Sequence, residues 1–250
     1  MRTVGTASIR AFVRDVSDYV RLARAWRGQF ASSIPVLNLV RWFGRWSSSL
    51  RNGRAPLDDQ SPWISLAAID YLESILHPEA RVFEWGSGGS TLFLASRARS
   101  VVSVEHNRQW FEQVRTRAAQ LGLTNCEILL IEPEPGVERP VGDPSDWNGY
   151  VSSAAEFFGC SFRNYVTFID SFADEYFDLI LIDGRARPSC FKHALRKVRV
   201  DGHIVWDNTE RSYYEVAMRH ATGRASRADL PGPLPYMRAF VNTTVFRRDA

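Results

Sequence analysis

The sequence predicts an α/β chain: a doubly wound, mostly parallel sheet with helices on both faces, preceded by a helical arm. Three observations carry this expectation. Five short segments, Arg81–Trp85, Ser100–Glu105, Glu127–Ile131, Phe177–Ile182 and Gly202–Trp206, are apolar at successive positions, as strands buried on both faces are. Helical stretches separate most of them, the alternation that builds a parallel sheet. A chain of 250 residues, 45% hydrophobic and 24% charged, is long enough to bury such a core.

Each element can be justified in order. Over residues 7–30, Ile9, Phe12, Val13, Val16, Tyr19, Val20, Ala23 and Phe30 share a helical stripe, with most arginines off it. A second basic-aromatic stretch, Val40–Trp46, breaks at Ser47–Ser49 and Asn52-Gly53, which read as a linker. Residues 1–58 are therefore read as arm and linker, and 59–250 as the α/β domain. Ser61-Pro62 opens a helix running through Ile64, Ala67, Ile69 and Leu72 to Leu76, stopped at His77-Pro78. The first strand, Arg81–Trp85, leads into a helix from Ser90, and the second, Ser100–Glu105, into a helix from Asn107 to Leu121. Glu127–Ile131 is the third. The stretch Glu132–Arg163, interrupted by Pro133, Pro135, Pro140 and Pro144, is too long for an ordinary connection and reads as a lid, a binding loop or an interface. A helix over Phe191–Val198 joins the fourth and fifth strands, and Thr243–Arg247 is a late strand.

Charge is unevenly placed. Residues 1–54 hold ten arginines against Asp15 and Asp18, about +8, although the whole chain carries only +3. Such an arm suits packing on its own domain or on a second subunit of a homodimer, or docking on an anionic membrane surface. The overall charge does not indicate nucleic acid. Cys126, Cys160 and Cys190 are far apart with no CxxC spacing, which speaks against a disulfide framework or zinc ribbon and for a reducing, cytoplasmic location. No apolar run approaches the ~20 residues that span a bilayer.

The stretch Phe83-Glu84-Trp85-Gly86-Ser87-Gly88-Gly89-Ser90-Thr91 holds the first candidate site. Glycines between a parallel strand and its helix let a ligand approach the backbone. A dinucleotide needs G-x-G-x-x-G; Gly86 and Gly88 fit, but Thr91 stands third. Glu84 at the strand end would repel a pyrophosphate, whereas it suits an amino group or sulfonium. Glu105, ending the second strand, suits the two hydroxyls of a ribose. An adenosine with a cationic amino-acid tail, S-adenosylmethionine, meets these demands.

Four motifs in order strengthen this reading. Glu84–Ser90 resembles the E-x-G-x-G-x-S form of the first motif of class I S-adenosylmethionine-dependent methyltransferases. Val104–Asn107 resembles their second-strand acidic motif, Phe177–Gly184 their fourth-strand motif, and Val200–Asn208 their turn and fifth strand, with Val200 and Asp201 in place of the usual Pro and Gly. The resemblance covers roughly residues 60–250. It implies a Rossmann-like sheet of seven strands. It also implies that Glu84, Gly86 and Gly88, with Ser87 and Ser90, contact the methionine part, Glu105 the ribose and His106 the adenine, and that Asp183 faces the reacting centre.

The same resemblance bears on the chemistry. Ile182-Asp183-Gly184 lacks the Asn/Asp-Pro-Pro-Tyr/Phe pattern of nucleobase-amine methylators, which favours a small-molecule hydroxyl on a sugar or secondary metabolite over nucleic acid. Asp183, Asp207 and Asn208 are similar to the metal-binding set of catechol- and caffeoyl-type O-methyltransferases, which implies Mg²⁺; the Lys those enzymes carry three residues after the first Asp is Ala186 here. Asp183, Arg185 and Asp207 are the expected catalytic residues, with Arg185 and Arg187 at the pocket mouth placed to orient an acidic acceptor. An NAD-dependent oxidoreductase and a non-catalytic protein that kept the pocket stay open as alternatives.

Overall fold

The computed structural model describes residues 6–29, 35–51, 53–136 and 142–250. Phe30, Asn52 and Pro140, on which parts of the arm, linker and insertion expectations rest, lie outside the described residues. The chain begins with helices α1 (Thr6–Gln29), α2 (Val36–Ser49), α3 (Pro56–Asp59) and α4 (Leu66–Ile75). Strand β1 (Arg81–Trp85), α5 (Gly89–Ala95), β2 (Ser100–Glu105), α6 (Arg108–Gln120) and β3 (Cys126–Leu130) follow. Among its described residues the insertion carries the two-residue strands β4 (Glu134–Pro135) and β5 (Cys160–Ser161), with a 3-10 turn at Ala155–Phe157 between them, and then α7 (Arg163–Thr167). Strand β6 (Phe177–Ile182), α8 (Arg187–Lys197), β7 (Val198–Asp207), α9 (Glu215–Met218), β8 (Ala225–Leu234) and β9 (Ala239–Arg248) complete the chain.

The seven-stranded sheet has the order β3-β2-β1-β6-β7-β9-β8. All strands but β9 run parallel. Period-two alternation divides its side chains between two cores. Val82, Leu179, Leu181, Val205 and Val245 face α4, α5 and the arm. Phe83, Trp85, Ile180, Ile182, Ile204 and Trp206 face α7 and α8. The sheet is thus covered on both sides, as the apolar strands require.

Several boundaries differ from expectation: α8 starts at Arg187 rather than Phe191, β7 at Val198 rather than Gly202, and β9 at Ala239 rather than Thr243. Helix α4 starts at Leu66 rather than Pro62, because the Ser65 hydroxyl caps it by accepting from the Ala68 amide at 3.1 Å. The Ser47–Ser49 break is instead the last turn of α2. The Ser49 hydroxyl donates to the Trp46 carbonyl and accepts from the Tyr236 amide, so the serines serve the helix by tying it to the domain. Strand β8 was not foreseen. It carries Pro231 and Pro233 and lies at the sheet edge, the position where strand prolines are tolerated.

The arm packs on its own domain. Tyr19, Ala23, Leu39, Trp42 and Trp46 join the core that holds Ile69 and Leu72. Trp46, fully buried, donates from its indole to the Met237 carbonyl at 2.8 Å. Trp42 and Arg45 both reach the Asp70 carboxylate, and Arg238 answers Asp15 and Asp18. Helices α1 and α2 therefore buttress the β8–β9 hairpin. Among the described residues no helix is long and apolar enough to cross a membrane.

Candidate functional site

Strand order reverses between β1 and β6, and in open α/β sheets ligands bind outside the carboxyl ends of the strands at that switch point. A cavity of about 620 Å³ lies there. Its lining includes Gly86–Ser90 after β1, Glu105, His106 and Asn107 after β2, Asp183, Gly184, Arg185 and Arg187 after β6, and Asp207 and Asn208 after β7. Every residue expected at the site except Glu84 lines this one cavity. Glu84 lies beneath the glycine turn.

The glycines are required by close approach. Gly86 has φ 96°, and a Cβ there would stand 2.8 Å from the Gly184 backbone. A Cβ on Gly89 would stand 2.3 Å from the Pro56 carbonyl oxygen. Under the turn, the fully buried Glu84 accepts from Thr91 Oγ1 at 2.5 Å and Ser103 Oγ at 2.6 Å. Thr91 Oγ1 in turn accepts from the Gly88 amide at 2.9 Å. The threonine that spoils the dinucleotide spacing is therefore the bolt of the loop. Burial pushes the Glu84 carboxyl up to about 7 against these hydrogen bonds, and its Oε1 has no hydrogen-bond partner.

Glu105 is saturated by the protein. Oε2 accepts from the amide and hydroxyl of Ser87 at 3.0 and 3.1 Å. Oε1 accepts from the amides of His106 and Asn107, both at 2.8 Å. Burial would raise this carboxyl, but His106, whose Nδ1 lies 2.9 Å away, and the amides outweigh it and hold it below the usual range. A ribose at this position must take the place of Ser87. His106 stands edge-on to Phe157 and Phe162, and Arg185 donates to its Nε2 at 3.4 Å.

The third group is built around Arg187, only 8% exposed. Ala186 adopts the left-handed conformation at φ 48° and turns the start of α8 inward, with Pro188 in its first turn. The guanidinium donates to Asp183 Oδ1 at 2.8 Å, to the carbonyls of Asp183 and Gly184 at 2.9 Å, to the Asp207 carbonyl at 2.6 Å and to Asn208 Oδ1 at 3.3 Å. It also lies 3.8 Å from Asp207 Oδ2. Asp207 Oδ1 accepts from Thr243. Burial, then the neighbouring Asp183, pushes the Asp207 carboxyl up to about 8. Burial raises Asp183 too, with Arg187 opposing, and the two acids raise the Arg187 guanidinium against its own burial.

Two expectations are corrected here. Asp183, Asp207 and Asn208 do not form a metal set: a fixed guanidinium already occupies the space between them, and an Mg²⁺ ion among the same oxygens would meet its charge. Arg187 is likewise internal rather than at the mouth. Arg185 alone of that pair reaches the rim, near Glu156 at 3.5 Å and over the Phe157 ring. Tyr214 is core, its ring tilted against Trp206 at 4.9 Å, whereas the Tyr213 hydroxyl meets Ser153 of the insertion at 2.9 Å.

Sequence reasoning missed Trp110, whose indole donates to the Ser87 carbonyl at 2.6 Å, and Trp63, Leu234 and Met237, which also line the cavity. An aromatic in the first turn of the helix after the acidic motif was the available signal for Trp110. The others arrive from the β8–β9 hairpin and the α3–α4 connection, with no local pattern.

No protein-family model matches the chain, and no curated protein does. Among solved structures, the chain has the class I methyltransferase fold. It is similar to the O-methyltransferase TomG from Streptomyces achromogenes, involved in tomaymycin synthesis and solved with S-adenosylmethionine, at 18% identity and a TM-score of 0.52 over 83% of this chain and 98% of that one. It is similar also to a protein from Klebsiella pneumoniae proposed to be an O-methyltransferase, at 15% identity and a TM-score of 0.51 over 91% and 96%. An rRNA methylase from Streptococcus thermophilus, at 16% identity over 72% and 93%, reaches a TM-score of only 0.46.

Proposed function

We propose that the protein is an S-adenosylmethionine-dependent methyltransferase that acts on a hydroxyl of a small molecule, a sugar or a secondary-metabolite scaffold. The observation that carries this reading is the pair of buried carboxylates, Glu84 and Glu105, set directly around a glycine turn at the switch point. Their field opposes a pyrophosphate and attracts an ammonium or sulfonium, which disfavours the NAD alternative. Residues 59–250 are the catalytic domain in this reading, and residues 1–58 an accessory arm.

The bound sulfonium supplies a methyl group already activated for displacement. What the chain contributes is position and proton handling. Gly86, Ser87 and Gly88 would present backbone to the methionine part, with Ser90 in the first turn of α5 and Glu84 holding the turn from below through Thr91. Glu105 takes the ribose hydroxyls in exchange for Ser87, and His106 borders the adenine. Asp183, more exposed than Asp207 (21% against 2% of the side chain), accepts the acceptor's hydroxyl proton as its oxygen attacks. Arg187 fixes that carboxylate. Burial favours the protonated form of Asp207, and Arg185 at the rim orients the acceptor.

Incubation with methyl-labelled S-adenosylmethionine and a panel of sugars, phenols and RNAs tests this. Label in a small hydroxylated acceptor, lost in Asp183→Asn, is expected. Label in RNA alone would replace the acceptor class, and NAD turnover without methyl transfer would replace the chemistry.

A further inference from the structure

An apolar groove of about 340 Å³ opens on the arm between α1 and α2, walled by Val16, Val20, Val36 and Val40, with Arg24 and Arg27 in the same wall. Beside it Val13 is 60% exposed and Leu37 79%. Burial on the domain explains the inner side of these helices, where Tyr19, Ala23, Trp42 and Trp46 lie. It does not explain the outer side, where Ile9, Phe12, Val13, Val16 and Val20 recur at helical spacing. Helix α1 carries one broad apolar arc, and only its Tyr19–Ala23 side is covered by its own domain.

Charge selects the occupant of the other. The acids of α1, Asp15 and Asp18, both pair with Arg238, at 2.5 and 3.0 Å, and Asp18 also meets Arg21 at 3.4 Å. Arg10, Arg14, Arg24, Arg27 and Arg41 remain exposed, so the outward side carries a single sign. A two-fold contact with a second copy would bring the same basic patch against itself, a juxtaposition that like charges oppose. We propose that this face docks on an anionic lipid bilayer surface, with the valines and Phe12 entering the headgroup boundary and the arginines meeting the lipid phosphates. The helices lie on the bilayer and do not cross it.

The full-length protein is to be sedimented with vesicles of phosphatidylcholine alone and of phosphatidylcholine mixed with phosphatidylglycerol. It should pellet only with the mixed vesicles, and less as salt screens the charge. The double variant Arg24→Glu/Arg27→Glu should lower partitioning by at least roughly 25-fold, at about fivefold for each arginine lost. Val13→Asp/Val40→Asp should abolish pelleting; all four side chains are exposed, and an unchanged melting temperature verifies the fold of each variant. Equal pelleting with both vesicles, pelleting with neither, or pelleting that survives both variants would overturn the proposal. So would a concentration-dependent dimer that Val13→Asp/Val40→Asp dissolves while the parent chain ignores vesicles, which would assign the groove to a second copy.

Discussion

The guanidinium of Arg187 lies 2.8 Å from the carboxylate of Asp183 and spans to that of Asp207 at 3.8 Å, joining the ends of two adjacent strands. Because Arg187 and Asp207 are buried and Asp183 is only partly exposed, removing the cation leaves uncompensated acid in a poorly solvated site. Arg187→Met is expected to destabilise the protein by about 3–5 kcal/mol, read as a lower urea midpoint. Adding Asp183→Asn should restore part of the loss. An unchanged midpoint in the single variant would mean that the cluster contributes nothing to the fold.

The same relationship puts a guanidinium where the Asp183, Asp207 and Asn208 pattern suggested a metal. Methyl transfer in excess EDTA is expected to match that in added Mg²⁺. Loss of turnover on chelation, with recovery on adding Mg²⁺, would show that Arg187 moves aside for a cation.

Two buried acids set a pH dependence. Asp207 rises from 3.8 to about 8, and Glu84 from 4.5 to about 7. A carboxyl whose folded value is raised loses its proton first in the unfolded chain. Stability from these groups is therefore greatest below the unfolded values, falls as pH climbs between them and the folded values, and levels off beyond about 8. Each unit of displacement corresponds to about 1.4 kcal/mol, so the ligand-free melting temperature should drop between about pH 5 and about pH 8. A rise across that window would contradict the burial of both acids.

Trp46 links the arm to the cavity, since its indole holds the carbonyl of Met237, a lining residue. Trp46→Ala should cost about 3–5 kcal/mol and also weaken binding of S-adenosylhomocysteine, read by calorimetry under conditions where the variant stays folded. Full affinity in a destabilised variant would confine the arm to a packing role.

The legible part of the molecule was the part encoded locally. Apolar strands ending near Glu84, Glu105 and Asp183 announced both the parallel sheet and the edge where the cavity opens, because strand burial and the position of the cavity follow from the same few residues. Arg187 was misplaced because spacing alone put it beside Arg185 on the rim; the left-handed Ala186 between them sends one side chain out and the other in. Strand β8 was hidden by Pro231-Gly232-Pro233, which an edge position accommodates. Ser47–Ser49 looked like a break because serine disfavours helix interiors, yet Ser49 bonds to Trp46 and Tyr236. Met237 and Trp63 reach the cavity only through tertiary packing, which leaves no periodic trace in the chain.

The central claim is that the acid-flanked glycine turn from Glu84 to Ser90 receives an adenosyl cofactor with a cationic tail. Isothermal titration of the wild-type protein with S-adenosylhomocysteine and with NAD, both in EDTA, tests it most directly. Saturable heat with the first and none with the second is expected. Tight binding of NAD with no response to S-adenosylhomocysteine would contradict it.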